Sequence, residues 1–289
     1  MKKTIFRGCA TALITPFSDG EVDLKTLGRL IDFQISEGID ALVIGGTTGE
    51  AATLSDTERY SIFEFARERV AGRVRLIFGT GTNDTRVAVE HTREAERIGC
   101  DGVLVVTPYY NKGTEEGVYR HYMKIAEATD LPMILYNVPG RTGVNLGIPI
   151  LKRLSKCERI VGIKEAADSH DRLASVAALG DSLPLYAGND TATLATLALG
   201  GAGVISVVSN LYPRRAAELC KRFFKGDIVG ARDIQLEILP LISALFLETN
   251  PAPVKYAMSL LSLAKDELRL PLFDVRESTK DTLKTLICK

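Results

Sequence analysis

Apolar residues along this chain fall into short unbroken runs, separated by longer segments of helical periodicity. The runs occupy residues 9–14, 41–44, 75–78, 102–106, 133–136, 160–163, 183–187 and 203–207. Most are continuous rather than alternating, the pattern of strands covered on both faces in a parallel sheet. Between them, Leu27, Leu30, Ile31 and Ile35 form an apolar helical stripe that stops at Gly38. Val87, His91, Ala95 and Ile98 form another that stops at Gly99. Ser55-Asp56-Thr57-Glu58 reads as a capping box opening a helix that runs to Gly72, because Ser55 and Glu58 can satisfy each other's backbone donors. Asn189-Asp190-Thr191 is placed to cap a helix over 192–199, and Pro213 to begin one over 214–225.

Eight β-then-α units within residues 1–226 predict an α/β fold of the (β/α)8 TIM-barrel type, a single catalytic barrel. An open doubly wound sheet is the competing arrangement, but it would need two unpaired edges among eight similar repeats. Beyond Gly226 the strand signal fades. Residues 227–289 read as a helical C-terminal domain broken at Pro240, at Asn250-Pro251-Ala252-Pro253 and at Pro271.

Composition narrows function mainly by exclusion. Of the 289 residues, 46% are hydrophobic, enough for a large core, and 36 basic residues balance 36 acidic ones. Such a chain has no global basic field to hold a nucleic acid or an anionic membrane. No segment offers the ~18 uninterrupted apolar residues of a membrane span. The apolar stretch after Lys2-Lys3 is broken by Arg7-Gly8 and closed by Pro16, unlike a secretory signal. Five scattered cysteines, at 9, 100, 157, 220 and 288, fit reduced thiols in the cytoplasm better than a disulfide frame. Cysteine and histidine spacings match no zinc site, and no dinucleotide fingerprint is present, so neither metal nor cofactor is expected.

In a barrel, chemistry gathers where strands end and βα loops begin. The second run is followed by Gly45-Gly46-Thr47-Thr48-Gly49-Glu50, a turn whose N–H groups suit a small carboxylate, or else a plain tight turn. The fourth is followed by Thr107-Pro108-Tyr109-Tyr110-Asn111, paired tyrosines that either take part in the site or only cover the barrel mouth. The fifth ends in Tyr136-Asn137-Val138-Pro139-Gly140-Arg141-Thr142-Gly143. Here Tyr136 can relay protons, and Arg141 has the planar fork that grips a carboxylate, unless it is an ordinary surface arginine. The sixth ends in Lys164. Desolvation at a strand end disfavours the ammonium, and a neutral amine can attack a carbonyl to form a Schiff base. The alternative is a structural ion pair with a carboxylate such as Asp168. Glu165 follows directly, but strand neighbours point to opposite faces, so it need not pair with Lys164.

These motifs, in this order and spacing, resemble those of the dihydrodipicolinate synthases, also called 4-hydroxy-tetrahydrodipicolinate synthases, of the pyruvate-dependent class I aldolase superfamily. The likeness covers essentially the whole chain. It implies that Lys164 forms a Schiff base with pyruvate and that Tyr136 shuttles protons. It implies that Thr47 links Tyr136 to Tyr110, which reaches in from a neighbouring subunit. Thr48 and adjacent amides would hold the pyruvate carboxylate, Arg141 that of aspartate semialdehyde, and the backbones of Gly188 and Ile205 would line the site. The resemblance also implies a homotetramer built as a dimer of dimers. The related sialic-acid lyases tend to have Ser in place of Thr47 and lack the Pro-Gly-Arg-Thr turn. The 2-keto-3-deoxy sugar acid aldolases share the Schiff-base core. One departure stands out at the inhibitory lysine pocket of the family, whose matching positions include Ala51, Asp56, Arg59, Asn83, Val87 and Tyr109. Val87 takes the place of a glutamate, and Asp56 and Arg59 that of histidines, which predicts weak or absent lysine inhibition.

Overall fold

In the computed structural model, which describes residues 2–166 and 169–288, eight parallel strands close into a barrel. They are β1 (Gly8–Ala12), β2 (Ala41–Ile44), β3 (Arg75–Gly79), β4 (Gly102–Val106), β5 (Met133–Asn137), β6 (Ile160–Glu165), β7 (Leu185–Ala187) and β8 (Gly203–Ser206). Each pairs with the next in sequence, and β8 returns to β1 through Gly8↔Gly203 to Thr11↔Ser206. That last pairing rules out the open doubly wound sheet. The seam is tight: a Cβ on Gly203 (φ +154°) would lie 1.9 Å from the Gly8 carbonyl oxygen, so only glycine fits there.

The strands are continuously apolar because both faces are buried. In β2, Ala41 and Val43 join Ala10, Ile77, Ile134 and Ile205 in the lumen, while Leu42 and Ile44 pack against the outer helices. Those helices are α1 (Leu24–Ser36), α2 (Asp56–Val70), α3 (Thr85–Ile98), α4 (Glu115–Glu127), α5 (Ile148–Leu154), α6 (His170–Ala177), α7 (Thr193–Ala198) and α8 (Pro213–Phe224). Helix α2 opens with the expected capping box and stops at Val70, with Ala71 in a left-handed conformation.

Two expectations fail locally. No side-chain hydrogen bond caps the turn at Asn189; the Asp190 carboxylate instead accepts the N–H groups of Val207 and Val208 at 2.9 and 3.0 Å. Pro240 does not break its helix. It lies inside α9 (Ile228–Ala244), on an exposed face. The carbonyl it leaves unpaired, that of Leu236, is on the same exposed face, where water can serve it. The chain continues through α10 (Ala252–Leu260) and α11 (Glu277–Ile287). Helix α9 packs on α8, and α11 packs on α10.

Candidate active site

Strands β5 and β6 are neighbours in register, with Tyr136 opposite Lys164 and Asn137 opposite Glu165. Alternation sends the first pair inward and the second outward. Tyr136 joins the lumen cluster. Lys164 is 4% exposed, and its Nζ lies 4.2 Å from the centre of the Tyr136 ring. Among the described residues no carboxylate forms an ion pair with Lys164; Asp168 lies outside the described residues. The nearby Asp190 carboxyl is pushed up by burial, against the pull of the Ser206 hydroxyl, the Val208 and Val207 N–H groups and the Lys164 charge.

The β2 loop turns tightly beside this pair. Gly45 has φ +66°, and a Cβ there would meet the Phe63 ring at 2.7 Å. The N–H groups of Gly49, Glu50 and Ala51 bond back into the turn. Those of Thr47 and Thr48 meet no acceptor among the described residues. The Thr48 hydroxyl accepts a bond from Asn250 Nδ2 at 3.0 Å, so its own proton is free to donate. Glu50 closes the turn and forms an ion pair with Lys255 of α10, with neither side chain exposed.

A cleft of about 490 Å³ opens above these residues, lined by Thr47, Tyr136, Arg141 and Asn250 among others. Arg141 stands on a single helical turn, Pro139–Thr142, and donates through Nη2 to the Asn250 carbonyl at 2.8 Å. Asn250 thus touches both Thr48 and Arg141. Gly188 follows β7 and donates its N–H to the Glu165 carbonyl at 2.7 Å. Ile205 is buried in the lumen cluster. Neither Gly188 nor Ile205 lines this cleft, and nor does Thr48. Tyr110 has φ +73° and is 88% exposed, and it does not line the cleft of its own chain.

Ala51, Asp56, Arg59 and Tyr109 line the far end of the same cleft, whereas Asn83 and Val87 do not. Val87 is half-buried on α3, and Asn83 accepts from Asn111 through its carbonyl. The Arg59 guanidinium donates to the Ala51 carbonyl at 2.7 Å. His91 takes part instead, 2.9 Å from Asp56. Burial, and next the Arg59 charge, hold the His91 imidazole below its ordinary value, while Asp56 pulls it back up.

Sequence reasoning missed Asn250, Lys255 and the outward pair Asn137–Glu165. Only the last carried a local signal, polar residues directly after apolar strands.

The fold and the buried strand-end lysine define a class, a (β/α)8 barrel with its candidate site at the carboxyl ends of the strands. A sequence profile of the Dihydrodipicolinate synthetase family matches residues 5–289. The chain is 46% identical over 288 residues to the 4-hydroxy-tetrahydrodipicolinate synthase of Thermotoga neapolitana, covering 98% of each. It superposes on the crystal structure of dihydrodipicolinate synthase from Thermotoga maritima with TM-score 0.96 at 43% identity, covering 99% of this chain and 98% of that one. For the chloride-inhibited dihydrodipicolinate synthase of Acinetobacter baumannii, complexed with pyruvate, the TM-score is 0.95 at 40% identity, covering 98% of each chain. The chain belongs to the dihydrodipicolinate synthetase family, and it is an enzyme, a lyase.

Proposed function

We propose that the chain condenses pyruvate with L-aspartate 4-semialdehyde to give 4-hydroxy-tetrahydrodipicolinate, the first committed step towards diaminopimelate and lysine. The observation that carries this reading is a buried lysine facing a tyrosine ring at 4.2 Å on neighbouring strand ends, the tyrosine in turn lining the cleft. The deprotonated Lys164 amine adds to the pyruvate C2 carbonyl, and the adduct loses water to become an imine. The imine withdraws electrons, so the pyruvate methyl gives up a proton and an enamine forms. The enamine carbon attacks the aldehyde, making the carbon–carbon bond and a hydroxyl. The amino group of the bound product then attacks the imine carbon, closes the ring and releases Lys164. One water is lost overall, and release needs no separate hydrolysis.

Tyr136 moves the protons in these steps, with Thr47 relaying to Tyr110 of the partner subunit. The high exposure of Tyr110 and its distance from its own cleft support that exchange and a homotetramer built as a dimer of dimers. Thr48 and the free Thr47 and Thr48 N–H groups hold the pyruvate carboxylate. Arg141 clamps the far carboxylate of the aldehyde, and the backbones of Gly188 and Ile205 contribute from outside the cleft lining. In this reading residues 1–226 are the catalytic barrel and 227–289 a helical domain that covers its mouth. A cytoplasmic setting fits the biosynthetic role; no helix among the described residues is long and apolar enough to cross a membrane.

The test is an initial rate with pyruvate and aspartate semialdehyde, coupled to the downstream reductase. Turnover that is lost in Arg141→Ala supports both the reaction and the clamp. Trapping with borohydride and peptide mapping supplies the second arm. No turnover, with a pyruvate adduct on Lys164, would move the second substrate to a sugar-derived aldehyde. An unmodified Lys164 would overturn the mechanism.

A further inference from the structure

The outward face of β5 and β6 carries a buried polar network one residue beyond the inward pair. Asn137 and Glu165 are opposite each other in the strand register, as Tyr136 and Lys164 are. Asn137 Nδ2 donates to Glu165 Oε1 at 2.8 Å and to Asn145 Oδ1 at 2.8 Å. Its Oδ1 accepts the Leu146 N–H at 3.1 Å. Arg172 of α6 donates through Nε to Glu165 Oε2 at 2.9 Å. Asn137 and Glu165 are both buried, as are the bond between them and the one from Leu146, while Asn145 and Arg172 reach them from more exposed positions.

We propose that Asn137 and Glu165, braced by Arg172, are positioning residues that hold Lys164 Nζ against the Tyr136 ring. The proposal rests on the Schiff-base reading of Lys164 and deepens it.

The argument is geometric. A strand residue cannot rotate about the chain without carrying its neighbours, so a fixed outward side chain fixes the inward one beside it. Past the register shift between Met133 and Ile134 the two strands pair without a break as far as Asn137 and Glu165, and both stop there. The Asn137–Glu165 bond closes the pairing from the outer side, one residue past the reacting groups. Displacing reacting groups by about 1 Å costs on the order of 100-fold in rate.

The network also dictates its own residue types. Glu165 sits between two donors, Asn137 Nδ2 and Arg172 Nε. Only a group that accepts at both ends fits there, and an ionised carboxylate does so whereas an amide does not. Asn137 needs a donor towards Glu165 and an acceptor towards Leu146, which a single amide supplies. Glu165→Gln therefore sets a donor against a donor at one of its ends. Asn137→Asp sets a carboxylate against Glu165 and against Asn145 Oδ1. In the swapped pair, Asn137→Asp with Glu165→Gln, the donor and acceptor directions of the bonds named above are restored, and the negative charge moves from residue 165 to residue 137. The new glutamine accepts from Arg172 through its carbonyl and donates through its amide to the new aspartate. That aspartate also accepts the Leu146 N–H, and Asn145 turns its amide to donate.

The experiment follows the rate of pyruvate adduct formation at Lys164 by quenching with borohydride, together with kcat, KM and thermal unfolding. Both single variants should stay folded, still label Lys164, and lose roughly 10- to 100-fold in trapping rate and kcat. The KM for aspartate semialdehyde should move little in Glu165→Gln, whereas Asn137→Asp also disturbs the bonds to Asn145 and Leu146 that close the loop carrying Arg141. The swapped double variant should recover most of the rate, a rescue that loss of general stability does not predict. A folded single variant that traps pyruvate at the wild-type rate overturns the proposal. If the singles do not fold, the double decides. A folded double near wild-type rate supports the proposal, and an unfolded or equally slow double overturns it. Wild-type enzyme that leaves Lys164 unlabelled overturns the Schiff-base reading itself, an outcome separate from equal rates in wild type and variant.

Discussion

Replacing Lys255 with methionine should cost far more stability than removing an exposed charge. Lys255 on α10 and Glu50 at the end of the β2 loop form an ion pair in which each side chain is 0% exposed. The ammonium also donates to the Glu267 carbonyl at 2.8 Å and lies 4.1 Å from the centre of the Phe17 ring. Burial pushes the Lys255 ammonium below the ordinary lysine value, and the Glu50 charge pulls it back. Methionine keeps the length and loses the charge. Glu50 would then retain the Arg269 N–H at 3.1 Å and lose its counter-charge. Breaking a buried pair from one side costs about 3–5 kcal/mol, against a total stability of roughly 5–15 kcal/mol. At about 2–4 °C per kcal/mol, Tm should fall by about 6–20 °C. Urea unfolding followed by circular dichroism measures the loss. Glu50→Gln/Lys255→Met serves as the control, because it leaves no stranded charge and should regain at least half of the loss. A Lys255→Met variant within ~1 kcal/mol of wild type would refute the reasoning, since the pair would then be worth no more than a surface one.

Other consequences are open to simpler assays. Asn250→Ala removes the amide that donates to Thr48 but keeps the carbonyl that holds Arg141. One lost hydrogen bond should raise the KM for pyruvate about 2- to 10-fold with a smaller effect on kcat, and an unchanged KM would count against the contact. His121 bonds Thr85 through Nδ1, its Nε2 is buried without a partner among the described residues, and burial holds its pKa down at about 4. The unfolded chain takes up that proton near pH ~6.5, so stability is whole above that pH and falls by up to roughly 3 kcal/mol as pH drops towards 4. His121→Gln should flatten this acid limb, and an unchanged limb would assign it to other groups. Lysine should inhibit the steady-state rate weakly or not at all, because Val87 offers its ammonium no carboxylate; half-inhibition at submillimolar lysine would overturn this.

The barrel was legible because its signal is local and repeated. Residues 41–44 and 102–106 are strands over the same bounds as their apolar runs, since burial on both faces leaves no room for alternation. The runs at 133–136 and 160–163 stop short of the strands, which extend to Asn137 and Glu165. Strand ends at a barrel mouth turn polar where chemistry and its supports begin, so hydrophobicity underestimates them. Asn250 was legible only as a residue before proline, because its partners Thr48 and Arg141 are 202 and 109 residues away. Asp190 read as a cap from its neighbours alone, but buried N–H groups of the β8 end claim its carboxylate. Pro240 read as a break because the rule for proline is stated for a buried ladder, and its helix face is wet.

The Tyr136 ring beside Lys164 explains how a nearly buried amine can be tolerated and still be useful under the proposed mechanism. A carboxylate in contact would hold Lys164 protonated and silence the nucleophile. An aromatic face stabilises a cation by only ~0.5–2 kcal/mol. Tyr136 at 4.2 Å therefore steadies the Lys164 side chain without the pull of a carboxylate. The carboxylate of this segment, Glu165, faces the other way and pairs with Arg172. The two-residue period of the strand thus separates two requirements that conflict at one atom. The inward side needs an amine that can lose its proton, and the outward side needs a charge that never loses its partner. Moving the carboxylate inward by one position would combine them, and the site would then hold a salt bridge where the reaction needs a nucleophile.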